Sequence, residues 1–150
     1  MKNAYILLVE DDPNDVTLIK AALETAEVDN PLHVLTSAEE AIAYLAGEGE
    51  YQNRELHPIP RVIFLDLNLP GKSGHDVLEW MGKQQALKEV VRIVLTGSAD
   101  PADLRKAYQL GANSYLRKPL TPQQLTEPGR NLKMFLLMSN RASSMAGASQ

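Results

Sequence analysis

The 150-residue chain contains no cysteine, one tryptophan and only 5% aromatic residues. Without cysteine, a disulfide framework, thiolate chemistry and a zinc knuckle are excluded. Excess positive charge is missing as well: 15 Lys and Arg stand against 19 Asp and Glu, a formal net charge of −4, and no basic run offsets it. A nucleic-acid partner is therefore not expected. No apolar run is long enough to span a bilayer, and "MKNAYILLVE" turns acidic too soon for a signal peptide. No membrane partner is expected, and the expected location is the cytoplasm. Histidine is sparse. His33, His57 and His75 lie far apart in sequence, so metal ligation or phosphate donation by them is not expected. What is present, 44% hydrophobic and 23% charged residues, suits one domain with a proper core.

Five short apolar segments stand out: "YILLV" (5–9), "LHVLT" (32–36), "VIFLD" (62–66), "RIVLT" (92–96) and "SYL" (114–116). Aliphatic and β-branched runs of this length suit strands buried on both faces of a parallel sheet. Helical spacing fills the gaps. Asp12-Pro13-Asn14 opens a helix that faces Val16, Ile19 and Leu23 inward. Ser37 and Glu40 form a capping box before Ile42 and Leu45, with Gly47 as the stop. Gly74 to Lys83 carries Val77, Leu78 and Met81, and Asp100-Pro101 opens a helix expected to bury Leu104 and Tyr108. Thr121-Pro122-Gln123-Gln124 caps a fifth. Strand and helix alternate five times, which predicts an α/β fold: a doubly wound, five-stranded parallel sheet with helices on both faces.

"LLVEDDPND" (7–15) drives an apolar strand straight into Glu10, Asp11, Asp12 and Asp15. At about 4 Å and an effective dielectric of about 20, each like-charged pair costs on the order of 4 kcal/mol. Sites in open α/β sheets form beyond the carboxyl ends of the strands. Those ends carry the acidic cluster, Asp66, Thr96 and Arg117-Lys118-Pro119. Taken singly, each has an ordinary explanation: helix-opening carboxylates, a turn cap, a turn hydroxyl, a solvated lysine. Their convergence on one rim does not. Mg²⁺ takes oxygen ligands and keeps several waters, so Asp11 and Asp66 plus phosphate oxygens suffice to hold it. Lys118 offers a point charge and Thr96 a hydroxyl to a phosphoryl oxygen. Asp66 is the natural nucleophile, because carboxylates form acyl phosphates. The rim reads as a magnesium-dependent phosphoryl acceptor.

"ILLVEDDP", "VIFLDLNLPGKSG", "IVLTGSA" and "GANSYLRKP", in this order, resemble the receiver domains of two-component response regulators. The resemblance covers residue 5 to about residue 126. It implies the flavodoxin-like receiver fold with strand order 2-1-3-4-5, and a domain spanning 1–138. It also implies Asp66 as phosphoacceptor, Glu10 and Asp11 as the acidic pair, and Asn68 lending its backbone carbonyl to the metal. Thr96 and Lys118 match the family's hydroxyl and lysine, and Tyr115 its rotating aromatic. "GEGEY", "LDLNLP" and the long loop before the third strand resemble the single-domain regulators paired with phytochromes. The implied partners are a sensor histidine kinase and a downstream protein or phosphotransfer protein. The Lys118–Pro119 bond is expected to be cis.

Two other functions are open to such a sheet. An aspartyl-phosphate-forming phosphatase needs an acid two residues after its nucleophile, and that position is Asn68. A nucleotide-binding domain needs a glycine-rich first turn, whereas "EDDPND" has no glycine. The reading is a phosphoacceptor, not an enzyme beyond slow self-dephosphorylation. Near the C-terminus, Pro128-Gly129 should kink or restart the last helix. From Leu132 to Met138 only Lys133 is polar, which predicts a homodimer face at Phe135, Leu136 and Leu137. Residues 139–150 are expected as a disordered tail, too short for a DNA-binding output domain.

Overall fold

The structure is a computed structural model describing residues 4–148, with side chains described through residue 136. Five strands, β1 (Ile6–Val9), β2 (Leu32–Leu35), β3 (Val62–Asp66), β4 (Val91–Thr96) and β5 (Ser114–Arg117), form one sheet in the order β2-β1-β3-β4-β5. Every pairing is parallel, so all five carboxyl ends emerge on one edge. Each returns through a helix: α1 (Pro13–Thr25), α2 (Ala38–Ala46), α3 (Gly74–Gly82), α4 (Pro101–Gln109) and α5 (Pro122–Ala148).

The side-chain period of two sorts each strand between two cores. Leu7, Val9, Ile63 and Leu65 pack on one face with Ala41 and Leu45 of α2 and with Val77, Leu78 and Met81 of α3. Ile6, Leu8, Val62 and Phe64 pack on the other with Ile19 and Leu23 of α1 and with Leu125, Leu132 and Leu136 of α5. All four β1 residues are inaccessible to solvent. Fully burying each such side chain contributes about 1.5–3 kcal/mol.

The helix ends follow their capping chemistry. Asp12 accepts from the Asn14 amide, Ser37 from Glu40, Asp100 from Ala102, and Thr121 from Gln124. Gly47 ends α2 at φ +71, the left-handed conformation that glycine adopts without strain.

Several expectations fail, each for a physical reason. The edge strands are not buried on both faces: three of four β2 residues are half-buried, and only Leu116 of β5 is buried. An edge has one neighbour and incomplete helix cover. Tyr108 is 45% exposed, because α4 turns Ala107 to the core, and its ring instead meets Tyr115 edge-on at 6.3 Å. Leu104 is half-buried.

α5 does not restart at Pro128-Gly129 but runs unbroken through both residues. Proline costs about 3 kcal/mol in a helix interior. Packing across it compensates, since Leu125, Gly129, Leu132 and Leu136 recur on one buried face. Gly129 lets the two helices approach closely. A Cβ on it would stand 3.1 Å from the Ala26 Cβ, a tight contact that a larger residue would have to relieve by a small shift of α5 from α1. The helix continues to Ala148, so the stretch expected as a disordered tail is helical through that residue. Leu136, expected on a dimer face, is 1% exposed and belongs to the domain's own core. Phe135 is half-buried against the same core. Leu137 lies outside the residues whose side chains are described.

Candidate functional site

Strand register sets the site. Asp66 pairs with Leu95 and Thr96 with Arg117, so β3, β4 and β5 end level with one another. β1 ends at Val9 beside Leu65, leaving Glu10 next to the last residues of β3. Glu10, Asp66 and Thr96 are almost fully buried, at 0%, 1% and 0% exposure, while Asp11 is exposed. Gly74, the first residue of α3, allows β3 to end in this way. A Cβ on it would lie 2.5 Å from the Asp66 carbonyl oxygen and 2.8 Å from the Leu67 Cα.

One cation serves three carboxylates. Lys118 Nζ lies 2.7 Å from Glu10 Oε1, 2.9 Å from Asp15 Oδ2 and 3.2 Å from Asp66 Oδ2. The Asn68 amide donates to Asp66 Oδ1 at 2.9 Å, and the Asp12 amide to Glu10 Oε2 at 3.2 Å. Glu10 Oε1, although close to the ammonium, has no aligned hydrogen bond. Burial pushes Glu10 up to about 7, against the opposing pull of Lys118. Burial also lowers Lys118, but its close pairing with Glu10 and Asp15 and the Asp66 charge outweigh that and hold it above its ordinary value.

A divalent cation fits this donor set. Glu10, Asp11 and Asp66 each place one carboxylate oxygen within 4.8 Å of the other two, and no other group of three or more His, Asp or Glu does so among the described residues. An octahedral ion with metal–oxygen distances of about 2.0–2.1 Å spans oxygens roughly 3–4 Å apart. The buried Glu10 Oε1 is met by the Lys118 ammonium without an aligned hydrogen bond, which leaves it open to a cation. The donors are all hard oxygens, which favours such ions over thiophilic metals.

The remaining expected residues fall nearby. Thr96 Oγ1 accepts from the Ser98 amide at 3.0 Å, and the Thr96 carbonyl accepts from the Lys118 amide at 2.7 Å. The Lys118–Pro119 bond is cis, as expected. Tyr115 is 41% exposed on β5, away from the rim. None of the three histidines reaches the site. His33 and His57 pack in an aromatic cluster near the other end of the sheet, and His75 Nε2 lies 3.0 Å from the Asp103 carbonyl. Two residues escaped the sequence reading. Asp15 was visible only as one acid among four, although it stands one helical turn beyond Asp11. Gly74 was legible only as a helix start.

A model of the response regulator receiver domain matches residues 6–128. The chain belongs to that family. It is 37% identical over 132 residues to the response regulator Rcp1 of Synechocystis sp., covering 88% of each chain. The structure of RcpA, a phosphorylated cyanobacterial phytochrome response regulator, matches it with a TM-score of 0.78 at 35% identity, over 91% of this chain and 96% of that one. The Mn²⁺-bound form of Rcp1 matches with a TM-score of 0.76 at 36% identity, over 88% and 93%. The receiver family accounts for the fold class and strand order read from the sequence. Among the described residues of this receiver domain, no helix is long and apolar enough to cross a membrane.

Proposed function

We propose that this receiver accepts a phosphoryl group on Asp66 from the phosphohistidine of a sensor kinase and signals by changing a protein-binding face. The observation that carries the reading is a buried Asp66 carboxylate within reach of both the Lys118 ammonium and the Glu10–Asp11 pair. An Asp66 oxygen bonds to phosphorus as the phosphohistidine P–N bond breaks. The electron pair of that bond stays with the imidazole, which departs neutral with its proton on the other ring nitrogen. Lys118 and Thr96 stabilise charge on the phosphoryl oxygens, and the rigid strand ends position them. Glu10, Asp11 and Asp66, with the Asn68 carbonyl, would hold Mg²⁺, which when bound neutralises charge on the phosphoryl oxygens.

The readout lies at Tyr115. Thr96 turns its hydroxyl from the Ser98 amide to the phosphoryl group, and Tyr115 swings inward from its exposed position against Tyr108. The face built from α4, β5 and α5 is thereby repacked, and with it a partner's affinity. The relationship to RcpA, a phytochrome response regulator, supports a phytochrome-type kinase as the donor. A single-domain role in a cytoplasmic phosphorelay is part of the same proposal. The domain is taken as residues 1–138. The phosphatase reading is less favoured, because Asn68 cannot protonate a leaving group. A homodimer through α5 rests on Met134, which is 61% exposed beside the half-buried Phe135. Light scattering on Met134→Arg should show a monomer where the wild type is a dimer, and a monomeric wild type ends the idea.

Incubating the protein with Mg²⁺ and a small phosphodonor should add a single phosphoryl group by intact mass. No adduct under conditions that phosphorylate other receivers would overturn the proposal.

A further inference from the structure

Asp15 is the acid of the N-terminal cluster that neither the helix cap nor the three-carboxylate group uses. It sits in the first turn of α1, its side chain 13% exposed, with Oδ2 2.9 Å from Lys118 Nζ. An ammonium has three N–H donors. Three carboxylates surround this one: Glu10 at 2.7 Å, Asp15 at 2.9 Å and Asp66 at 3.2 Å. Only the contact with Asp66 is an aligned hydrogen bond, but the charges of Glu10 and Asp15 also hold the ammonium, so moving toward a phosphoryl oxygen carried on Asp66 works against their pull. Glu10 and Asp66 belong to the group that fits a cation, so a bound cation shares their charge. Asp15 is outside that group, and its hold on the lysine persists.

We propose that Asp15 is a positioning residue: it retains part of the Lys118 ammonium on α1 and so limits how strongly the lysine engages a phosphoryl group on Asp66. The proposal rests on the receiver reading of Asp66. It differs from the plain alternative, a first-turn acid that only complements the positive end of α1. That alternative predicts an effect on helix stability and none on ligand affinity.

The test is calorimetric titration with beryllofluoride, a mimic of the aspartyl phosphate, at saturating Mg²⁺. Asp15→Asn keeps the shape but removes the charge, and should bind beryllofluoride about fivefold more tightly, the size expected from one partly solvated charge. Asp15→Glu should return toward wild-type affinity. In a Lys118→Ala background, Asp15→Asn should change nothing, because the effect runs through the lysine. Equal or weaker binding by Asp15→Asn overturns the proposal, as does the same gain in the Lys118→Ala background, which would mean direct charge repulsion. Asp15→Ser, read the same way, covers poor folding of the amide variant. If wild-type protein takes no beryllofluoride, both the receiver reading of Asp66 and this proposal fall. If it binds but the Asp15 variants match it, only this proposal falls.

Discussion

The two ends of the sheet bury polar groups in opposite ways. At the carboxyl end, Glu10 and Asp66 are inaccessible, one lysine is divided among three carboxylates, and a Glu10 oxygen has no aligned donor. Toward the amino end, beside β2, the rings of His33, Tyr44, Tyr51 and His57 pack with centroids 5.0–6.2 Å apart. There the Tyr44 hydroxyl donates to the Pro58 carbonyl, its phenol pushed up to about 12 by burial and so kept neutral. Arg54 donates to the carbonyls of Tyr44, Leu45 and His57, which satisfies the end of α2. The Tyr44 and Arg54 groups are satisfied within the protein. The strand-end rim instead shares one ammonium among three carboxylates, and that difference separates a structural cluster from the proposed reactive one.

The sharpest way to break the comparison is to remove the proposed acceptor. Asp66→Asn should abolish phosphoryl uptake while leaving a folded domain, because the amide is isosteric but a poor nucleophile. Intact mass after phosphodonor treatment decides it, and a full adduct on this variant would place the acceptor elsewhere.

The matching change toward the amino end is Arg54→Ala. Loss of its three bonds to backbone carbonyls should cost about 2 kcal/mol of stability by urea denaturation, with phosphoryl uptake unchanged. A cost near zero would mean that water serves those carbonyls equally well.

Asp11→Asn is the smaller probe of the reactive end. In metal-free buffer it should raise stability by roughly 0.5 kcal/mol, by relieving repulsion in the cluster, and it should weaken Mg²⁺ binding. Melting curves with and without Mg²⁺ read both effects. A less stable variant in metal-free buffer would mean that the cluster carries no repulsion.

The smallest effect belongs to His33. Burial, then the nearby His57, lowers its pKa below 6.5, so the unfolded chain takes up a proton more readily than the folded one. Stability is therefore full above pH 6.5 and declines as the pH falls through the folded value. His33→Phe should flatten that decline between pH 7 and 5 in thermal melts. An unchanged slope would assign it to other groups.

Much of this was legible in the chain. Short apolar runs and helical spacing pointed to five strands and five helices, because burial of apolar side chains follows the backbone's own geometry. Asp66, Thr96 and Lys118 were legible because each closes or follows an apolar run, and parallel strands bring such ends to one edge. Residues whose roles depend on distant neighbours were not. Tyr108 fits a helical stripe as well as Ala107 does, and only the placement of α4 against β5 chose between them. Leu136 looked free because a sequence does not show which side of an apolar helix its own sheet covers. Pro128-Gly129 signalled a break, yet the close approach of α5 to Ala26 makes that glycine a packing residue.

By itself, then, the sequence determined the order of elements, their caps and the residue types that meet at the strand-end rim, all set by local geometry and residue type. The tertiary structure decided which acid does what. Asp12 caps α1, Asp11 joins Glu10 and Asp66, and Asp15 takes a share of Lys118, a residue more than a hundred positions away. Four neighbouring carboxylates are chemically alike in a sequence. They become different only when the fold gives each its own burial and its own partner.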